Sequence, residues 1–258
     1  MNWKRTVMKG ISEANSLIHS MQTLNPNYRI LMYHSVGGKV INDRKNIFSI
    51  TPKLFEQHIN FLAESKAIGV VDLDSNHLKA EKDCLTITFD DGYKDNLFEA
   101  APILEKYDFP YTVFVSTGFV KSNAKYFLSA EELRELSQLP NATIGSHSVN
   151  HPSLVDCSDT ELTNELVSSK HFLEDTTGKA VNTFAYPFGA VDKRVRDAVE
   201  KAGYLFGTTS YMHTNYSGQD QLMLSRTSIL GVDSMRTFRQ KMRGDWDWYR
   251  FIQDYRES

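Results

Sequence analysis

The chain has 258 residues, of which 41% are hydrophobic and 24% are charged, so it can form a sizeable core and is not a largely disordered protein. Its net charge of -3 offers no excess positive charge to attract nucleic acid or an anionic membrane surface. Cys84 and Cys157 stand far apart and form no CxxC pair, so they predict buried free thiols and indicate neither a disulfide framework nor a thiolate zinc site.

Residues 1–27 are predicted to form an N-terminal helical extension, because Val7, Ile11, Ala14 and Ile18 recur at helical spacing. This segment lacks the apolar run of a signal peptide, and no other stretch approaches the roughly 20 apolar residues of a membrane span. These observations favour a cytoplasmic protein.

From residue 28 to residue 258, short runs rich in β-branched and aromatic residues alternate with longer amphipathic stretches. The predicted strands are Tyr28–Tyr33, Cys84–Phe89, Tyr111–Val115, Thr143–Gly145, Thr183–Tyr186, Leu205–Thr208 and Leu222–Arg226. The predicted helices are Pro52–Ser65, Asn96–Tyr107, Ala130–Leu139, Asp159–Thr176 and Asp192–Ala202. The alternation, without a glycine-rich phosphate loop, predicts a single-domain α/β fold, a (β/α) barrel of seven or eight parallel strands with a helical cap from Asp233 onward.

Polar clusters follow several of these strands, where a parallel barrel places its catalytic loops. His34 follows the first strand and is a candidate general acid, because imidazole exchanges protons near neutral pH. Asp90 and Asp91 follow the strand that ends at Phe89, and as neighbours on an extended chain they point in opposite directions. One can therefore hold a cation while the other stays free as a base. A structural histidine and a simple Asp-Gly turn are the alternative interpretations.

Two histidines four residues apart, His147 and His151, follow the fourth predicted strand. They can converge on one ion if the chain between them turns, and neutral imidazole suits zinc. Together with one carboxylate they leave coordination positions open for water and substrate. Another strand leads into Pro187-Phe188-Gly189, a tight turn that can aim the backbone N–H of Phe188 at a developing oxyanion or can simply cover the core.

These residues resemble the motifs of the polysaccharide deacetylase group, the NodB-homology domains of carbohydrate esterase family four. Thr88–Gly92 resembles the first motif of the group and His147–Pro152 resembles the second. The resemblance covers roughly Tyr28 to Ile229 and implies a distorted (β/α) barrel that removes N-acetyl or, less often, O-acetyl groups from sugars. It implies that Asp90 is the general base and that Asp91, His147 and His151 bind a divalent metal, with Zn²⁺ expected.

The sequence departs from the family pattern in two places. The third motif usually carries an arginine that orients the base, whereas this chain has Ala185 to Gly189 there, and Arg226 is the residue that could supply the guanidinium. The late Leu-x-His motif that provides the catalytic acid in many members is also missing. This combination resembles the biofilm-polysaccharide deacetylase branch, which shares the early Tyr-His strand end. His34 is therefore the leading candidate for the acid, and His213 is the reserve.

The resulting hypothesis is hydrolysis of an N-acetylated saccharide, in which the metal polarises the carbonyl, Asp90 activates water and His34 protonates the departing amine. Acetate and a free amino sugar are the products. Two alternatives stay open: a metal-dependent amidohydrolase acting on a non-sugar substrate, and a catalytically silent carbohydrate-binding protein. No nucleic-acid partner is expected, and the oligomeric state is not predicted.

Overall fold

The computed structural model describes residues 8–13, 28–40, 43, 45–65, 68–73 and 83–250. Its strands are β1 (Tyr28–Tyr33), β2 (Ser35–Val36), β3 (Ser49–Ile50), β4 (Gly69–Val70), β5 (Cys84–Phe89), β6 (Tyr111–Val115), β7 (Ala142–Ser146), β8 (Thr183–Ala185), β9 (Phe206–Thr208) and β10 (Thr227–Ser228). Seven of them lie side by side in the order β10-β1-β5-β6-β7-β8-β9, and β4 also pairs with β5. The pairings in this sheet are parallel. The predicted α/β barrel class is confirmed.

The helices are α1 (Pro52–Glu64), α2 (Ala101–Glu105), α3 (Thr117–Lys121), α4 (Ala130–Gln138), α5 (Asp159–Thr177), α6 (Lys193–Lys201) and α7 (Met235–Met242). Their starts follow from local chemistry: Ser129 and Ser158 form capping boxes with Glu132 and Glu161, which satisfy backbone N–H groups that a first helical turn leaves free. Helix α5 ends at Gly178, which adopts φ 70°, a conformation that glycine takes without strain.

The central strands β1 and β5 are buried along their whole length, as expected of a parallel sheet covered on both faces. Two threonines in β5 satisfy their buried hydroxyls on neighbouring backbone: Thr88 donates to the Leu31 carbonyl at 2.7 Å, and Thr86 donates to the Val71 carbonyl at 2.8 Å. Because these strands are fixed by packing and by such bonds, the residues that follow them are held in defined positions.

Two predicted elements differ from the structure, and one helix was not predicted. Leu222–Arg226 was expected to be a strand, but it forms only an isolated bridge between Leu224 and Thr208, because the chain then crosses to β1 and pairs there as β10. The helix predicted at Asn96–Tyr107 begins with a π-helical turn, Asn96–Ala100, before α2. Helix α3 was not predicted. Cys84 is buried as expected, whereas Cys157 is half-buried, and both thiols are free.

Part of the predicted N-terminal helical extension is visible, since residues 8–13 are helical; the rest of residues 1–27 lies outside the described residues. Ile11 in this segment is 41% exposed. The cap predicted from Asp233 contains α7 and a 3₁₀ turn at Asp247–Tyr249. Across the part of the chain that the structure describes, none of the helices has the length and apolar character needed to span a membrane.

Candidate active site

Three predicted metal ligands converge at the carboxyl ends of β5 and β7. Their ligand atoms all lie within 4.8 Å of one another. The Nε2 atoms of His147 and His151 are 3.1 Å apart, and Asp91 Oδ1 lies 3.6 Å from the first and 3.5 Å from the second. The side chains of Asp91, His147 and His151 thus point at one common centre.

The protonation of His147 shows why this centre suits a cation. Its Nδ1 lies 2.8 Å from the Ala185 carbonyl oxygen, which can only accept, so Nδ1 carries the proton. Burial lowers the pKa of His147 to about 3, which keeps the ring neutral and leaves a lone pair on Nε2. Burial also lowers the pKa of His151. Neutral imidazoles and a carboxylate oxygen are ligands that Zn²⁺ prefers, and three protein ligands leave a position open.

The loops that carry these ligands contain strained backbone. Asp91, Ser148 and His151 have φ values of 74°, 66° and 55°, in the left-handed region that side chains other than glycine rarely adopt. Glu165 of α5 holds the loop after β7, because its carboxylate accepts from the N–H groups of Val149 and Asn150 at 2.8 and 2.9 Å. Strain that the surroundings maintain in this way is typical of functional sites.

Asp90, the predicted base, forms a buried bidentate ion pair with Arg226. The two guanidinium-carboxylate distances are 2.6 and 2.8 Å, and Arg226 Nε also donates to the Thr209 carbonyl at 2.8 Å. Burial by itself raises the pKa of Asp90, but Arg226 and His147 outweigh it and bring the pKa down to about 2. Asp90 is therefore ionised, and its orientation is fixed by the residue that was predicted to supply the missing guanidinium.

These side chains face one cavity of about 460 Å³, a size within the range of small-molecule sites. The residues that line it are Met32, His34, Val40, Asp43, Phe48, Asp90, Asp91, His147, His151, Tyr186, Phe188, Gly189, Ser210, Arg226 and Ser228. His34 is thus brought into the same cavity as Asp90. His213 is absent from this lining, and its Nδ1 lies 2.6 Å from the neighbouring Thr214 carbonyl oxygen.

Phe188 stands at the rim of the cavity. Its ring is 67% exposed and meets the His151 ring edge to face, with centroids 4.6 Å apart. Its φ is 60° within the turn that follows β8. Phe188 therefore lines the cavity and offers its exposed ring to a ligand there.

Three polar residues that support the site were not predicted from the sequence: the buried Glu165 and Asn96 and the half-buried Asp95. Glu165 had a detectable signal, since it is a carboxylate on the apolar face of α5, between Leu162 and Leu166. A charge on a buried helix face is costly unless something binds it. Asp95 and Asn96 come shortly after the Asp-Asp-Gly segment, but nothing in their spacing distinguishes them from an ordinary helix start.

Comparisons with known proteins agree with this geometry. Residues 77–207 match the family model described as polysaccharide deacetylase. The chain is 28% identical over 205 residues to the Bacillus subtilis protein YxkH, covering 78% of this chain and 70% of that protein. It is 27% identical over 175 residues to a Staphylococcus aureus poly-beta-1,6-N-acetyl-D-glucosamine N-deacetylase, and this match covers 62% of this chain and 60% of that enzyme.

A solved structure, the Streptococcus pyogenes deacetylase PplD in complex with acetate, is also similar. The two share a TM-score of 0.75 and 25% sequence identity over 85% of this chain and 99% of that one. The match to the Staphylococcus aureus enzyme spans less than two thirds of that protein's own length.

Proposed function

The chain belongs to the polysaccharide deacetylase family, and we propose that it is a metal-dependent N-deacetylase that removes acetyl groups from the sugars of a polysaccharide or glycan precursor. The single observation that carries this proposal is the shared cavity, in which three convergent ligands lie beside a buried carboxylate held by arginine. The name of the Staphylococcus aureus relative supports an N-acetylated glucosamine polymer as the substrate class.

Asp91, His147 and His151 would hold the ion, and Zn²⁺ is the metal that this set of donors favours. A bound divalent ion supplies Lewis-acid polarisation of the acetyl carbonyl and lowers the pKa of water at the site. The second nitrogen of His147, fixed on the Ala185 carbonyl, keeps the ligand nitrogen in the unprotonated form that metal binding requires.

Asp90 acts as the general base. Its carboxylate is ionised and cannot rotate away, because Arg226 binds both of its oxygens. It takes the proton from the attacking water while the water oxygen bonds to the acetyl carbon. Arg226 takes the place of the arginine that is missing from the turn after β8, which supports an active enzyme over a catalytically silent protein.

His34 acts as the general acid, and Phe188 serves the oxyanion. As the carbon–nitrogen bond breaks, His34 gives a proton to the departing nitrogen, so the products are acetate and a free amine. The N–H of Phe188, in its tight turn, is directed at the developing oxyanion, a contribution of about 3 kcal/mol for a donor of this kind. The exposed Phe188 ring then offers an apolar face to the sugar.

The test is acetate release from N-acetylglucosamine oligomers by the metal-loaded protein and by Asp90→Asn. The wild type should release acetate, whereas Asp90→Asn should lose turnover by at least about 100-fold, since a positioned base contributes that much, and should still bind one metal ion. Asp220→Asn, at a surface ion pair with Arg196, is the matched control and should stay active. Turnover by Asp90→Asn near the wild-type rate would contradict the assignment of the base.

A further inference from the structure

His34 differs from His147 in how its ring is held. The Nδ1 of His147 bonds to a backbone carbonyl, whereas the buried Nδ1 of His34 has no hydrogen-bond partner among the described residues. The His34 ring packs on Phe48, with centroids 4.7 Å apart. A hydrogen bond to the second nitrogen usually orients a functional imidazole. Without one, the direction of the His34 ring depends on its backbone and on this ring contact.

Two adjacent side chains, Asp95 and Asn96, hold that backbone. Asn96 Nδ2 donates to the carbonyl oxygen of His34 at 2.8 Å. One oxygen of Asp95 accepts from Ser35 Oγ at 2.7 Å, and the other accepts from the N–H of Val36 at 2.8 Å. Three consecutive residues at the end of β1 are thus bound by one pair of side chains, which we call the His34 clamp.

The clamp is closely fitted and costly to build. Asn96 is fully buried, and it begins the π-helical turn that precedes α2. Such turns are rare and are frequently found at functional sites. A Cβ on Gly38 would lie 2.0 Å from Asp95 Oδ2, so a larger residue would displace the carboxylate. Buried polar groups are retained where their hydrogen bonds are needed.

The position of the clamp in the sequence links it to the reaction. The seven residues from Asp90 to Asn96 contain the base, the ligand Asp91 and, at their end, the clamp. Because the clamp reaches across to the strand end that bears His34, one short segment sets the relative placement of the base and the acid.

We propose that Asp95 and Asn96 are positioning residues that fix His34 for proton donation to the departing nitrogen. This inference rests on the proposed function, in which His34 is the acid. Neither side chain touches the substrate, and neither takes part in the attack of water. Their loss should therefore impair only the half of the reaction that needs an acid.

Substrates with different leaving groups distinguish the two halves of the reaction, the attack of water and the departure of the leaving group. An amide nitrogen leaves only when it is protonated, whereas the phenolate of para-nitrophenyl acetate leaves without an acid. Asp95→Asn keeps the size of the side chain but replaces one accepting oxygen with an NH₂ group, which then faces groups that also donate hydrogen bonds. We expect it to lower kcat on N-acetylglucosamine oligomers by about 10- to 100-fold, the usual cost of a misplaced catalytic group, and to hydrolyse the aryl ester within about threefold of the wild-type rate.

Further variants make the result independent of any folding defect. Asn96→Asp removes the donor to the His34 carbonyl and should give the same selective loss. Ser35→Ala removes one donor to Asp95 and should give a smaller loss with the same selectivity. The matched control is Glu165→Gln, because Glu165 is also a carboxylate that holds a strand-end loop, in this case the loop that carries His147 and His151. It should lower both activities together and weaken zinc binding.

Equal loss of both activities in the clamp variants would show a merely structural role and overturn the proposal, and unchanged activity on both substrates would overturn it as well. His34→Ala identifies which idea has failed. If His34→Ala keeps amide turnover, the assignment of the acid is wrong, and the clamp then has no acid to position. If His34→Ala loses amide turnover while Asp95→Asn keeps it, the acid stands and the clamp alone is wrong.

Discussion

Adjacent carboxylates in this chain have opposite surroundings. Asp90 faces Arg226 and has a pKa of about 2. Burial and the negative charge of Asp90 raise the pKa of Asp91 to about 6, although the nearby His34 opposes this shift. Carboxylate pairs whose pKa values are driven apart by their environments commonly divide two roles between them. Here the divergence separates the proposed base, which is ionised at neutral pH, from the proposed ligand, whose ionised form a cation would stabilise.

The Asp90–Arg226 pair should respond unequally to the loss of one or both partners. Arg226→Met leaves a buried, unpaired carboxylate, so we expect the free energy of unfolding to fall by about 3–5 kcal/mol. The double variant Asp90→Asn with Arg226→Met has no such charge and should lose less than Arg226→Met alone. Urea unfolding of the wild type, of Asp90→Asn, of Arg226→Met and of the double variant measures this coupling. Additive losses would mean that the pair does not act as a unit.

Phe188 should affect substrate binding more than stability. Because its ring is 67% exposed, Phe188→Ala removes little buried surface, but it removes the apolar face at the cavity rim. We expect KM for N-acetylglucosamine oligomers to rise about 3- to 10-fold, as for an aromatic contact of about 1 kcal/mol, with kcat nearly unchanged. Phe98→Ala is the control, since Phe98 is 55% exposed and does not line the cavity. A fall in kcat without a rise in KM would contradict this role.

At the scale of elements, the sequence predicted the strands that are continuous apolar runs. The prediction was wrong where one segment pairs first with one strand and then with another. Strands β1, β5 and β6 match the prediction residue for residue, because buried parallel strands are continuous apolar runs. The failure at Leu222–Arg226 is different in kind. Its backbone bonds first to β9 and then, as β10, to β1, and this exchange depends on long-range pairing that local composition does not encode.

Helices α1 and α7 pack together at a buried histidine, and its burial predicts that the folded state loses stability at acidic pH. His58 stacks on Phe238 with centroids 3.8 Å apart, and its Nδ1 lies 3.2 Å from the Tyr33 hydroxyl. Burial lowers the pKa of His58 to about 3, although Asp233 opposes that shift and Lys241 adds to it. Below the ordinary histidine pKa of about 6.5 the unfolded chain therefore binds a proton that the folded chain does not.

This difference makes the folded state less stable as the pH falls from about 6.5 towards 3, since the unfolded state binds more protons over that range. Between pH 7 and pH 5 the loss attributable to His58 should be about 2 kcal/mol. His58→Phe should remove that part of the pH dependence of the urea midpoint, whereas His171→Gln, on the exposed side of α5, should leave it unchanged. If wild type and His58→Phe lose stability equally on acidification, the contact between α1 and α7 is not acid-sensitive.

At the scale of the whole molecule, the sequence located the residues that meet in the cavity but missed the side chains that hold the loops around it. The Asp-Asp pair and the two histidines were found because strand ends of a parallel barrel meet at one face. Arg226 was inferred from an absence in the third motif, and the structure brings it to Asp90. Glu165 and the His34 clamp act through backbone atoms, and no spacing rule identifies a side chain that binds the backbone of a distant loop.

Metal binding should stabilise the whole barrel, because the ligands come from loops that follow β5 and β7. An ion that binds only the folded chain, present at 100 times its dissociation constant, adds about 2.7 kcal/mol. For a chain of this size that raises Tm by roughly 5–10 °C. We expect Zn²⁺ to produce this shift and a chelator to reverse it. His151→Ala should show little shift, while His171→Gln should behave as the wild type. A wild-type Tm that is independent of Zn²⁺, or a full shift in His151→Ala, would mean that the ion binds elsewhere or not at all.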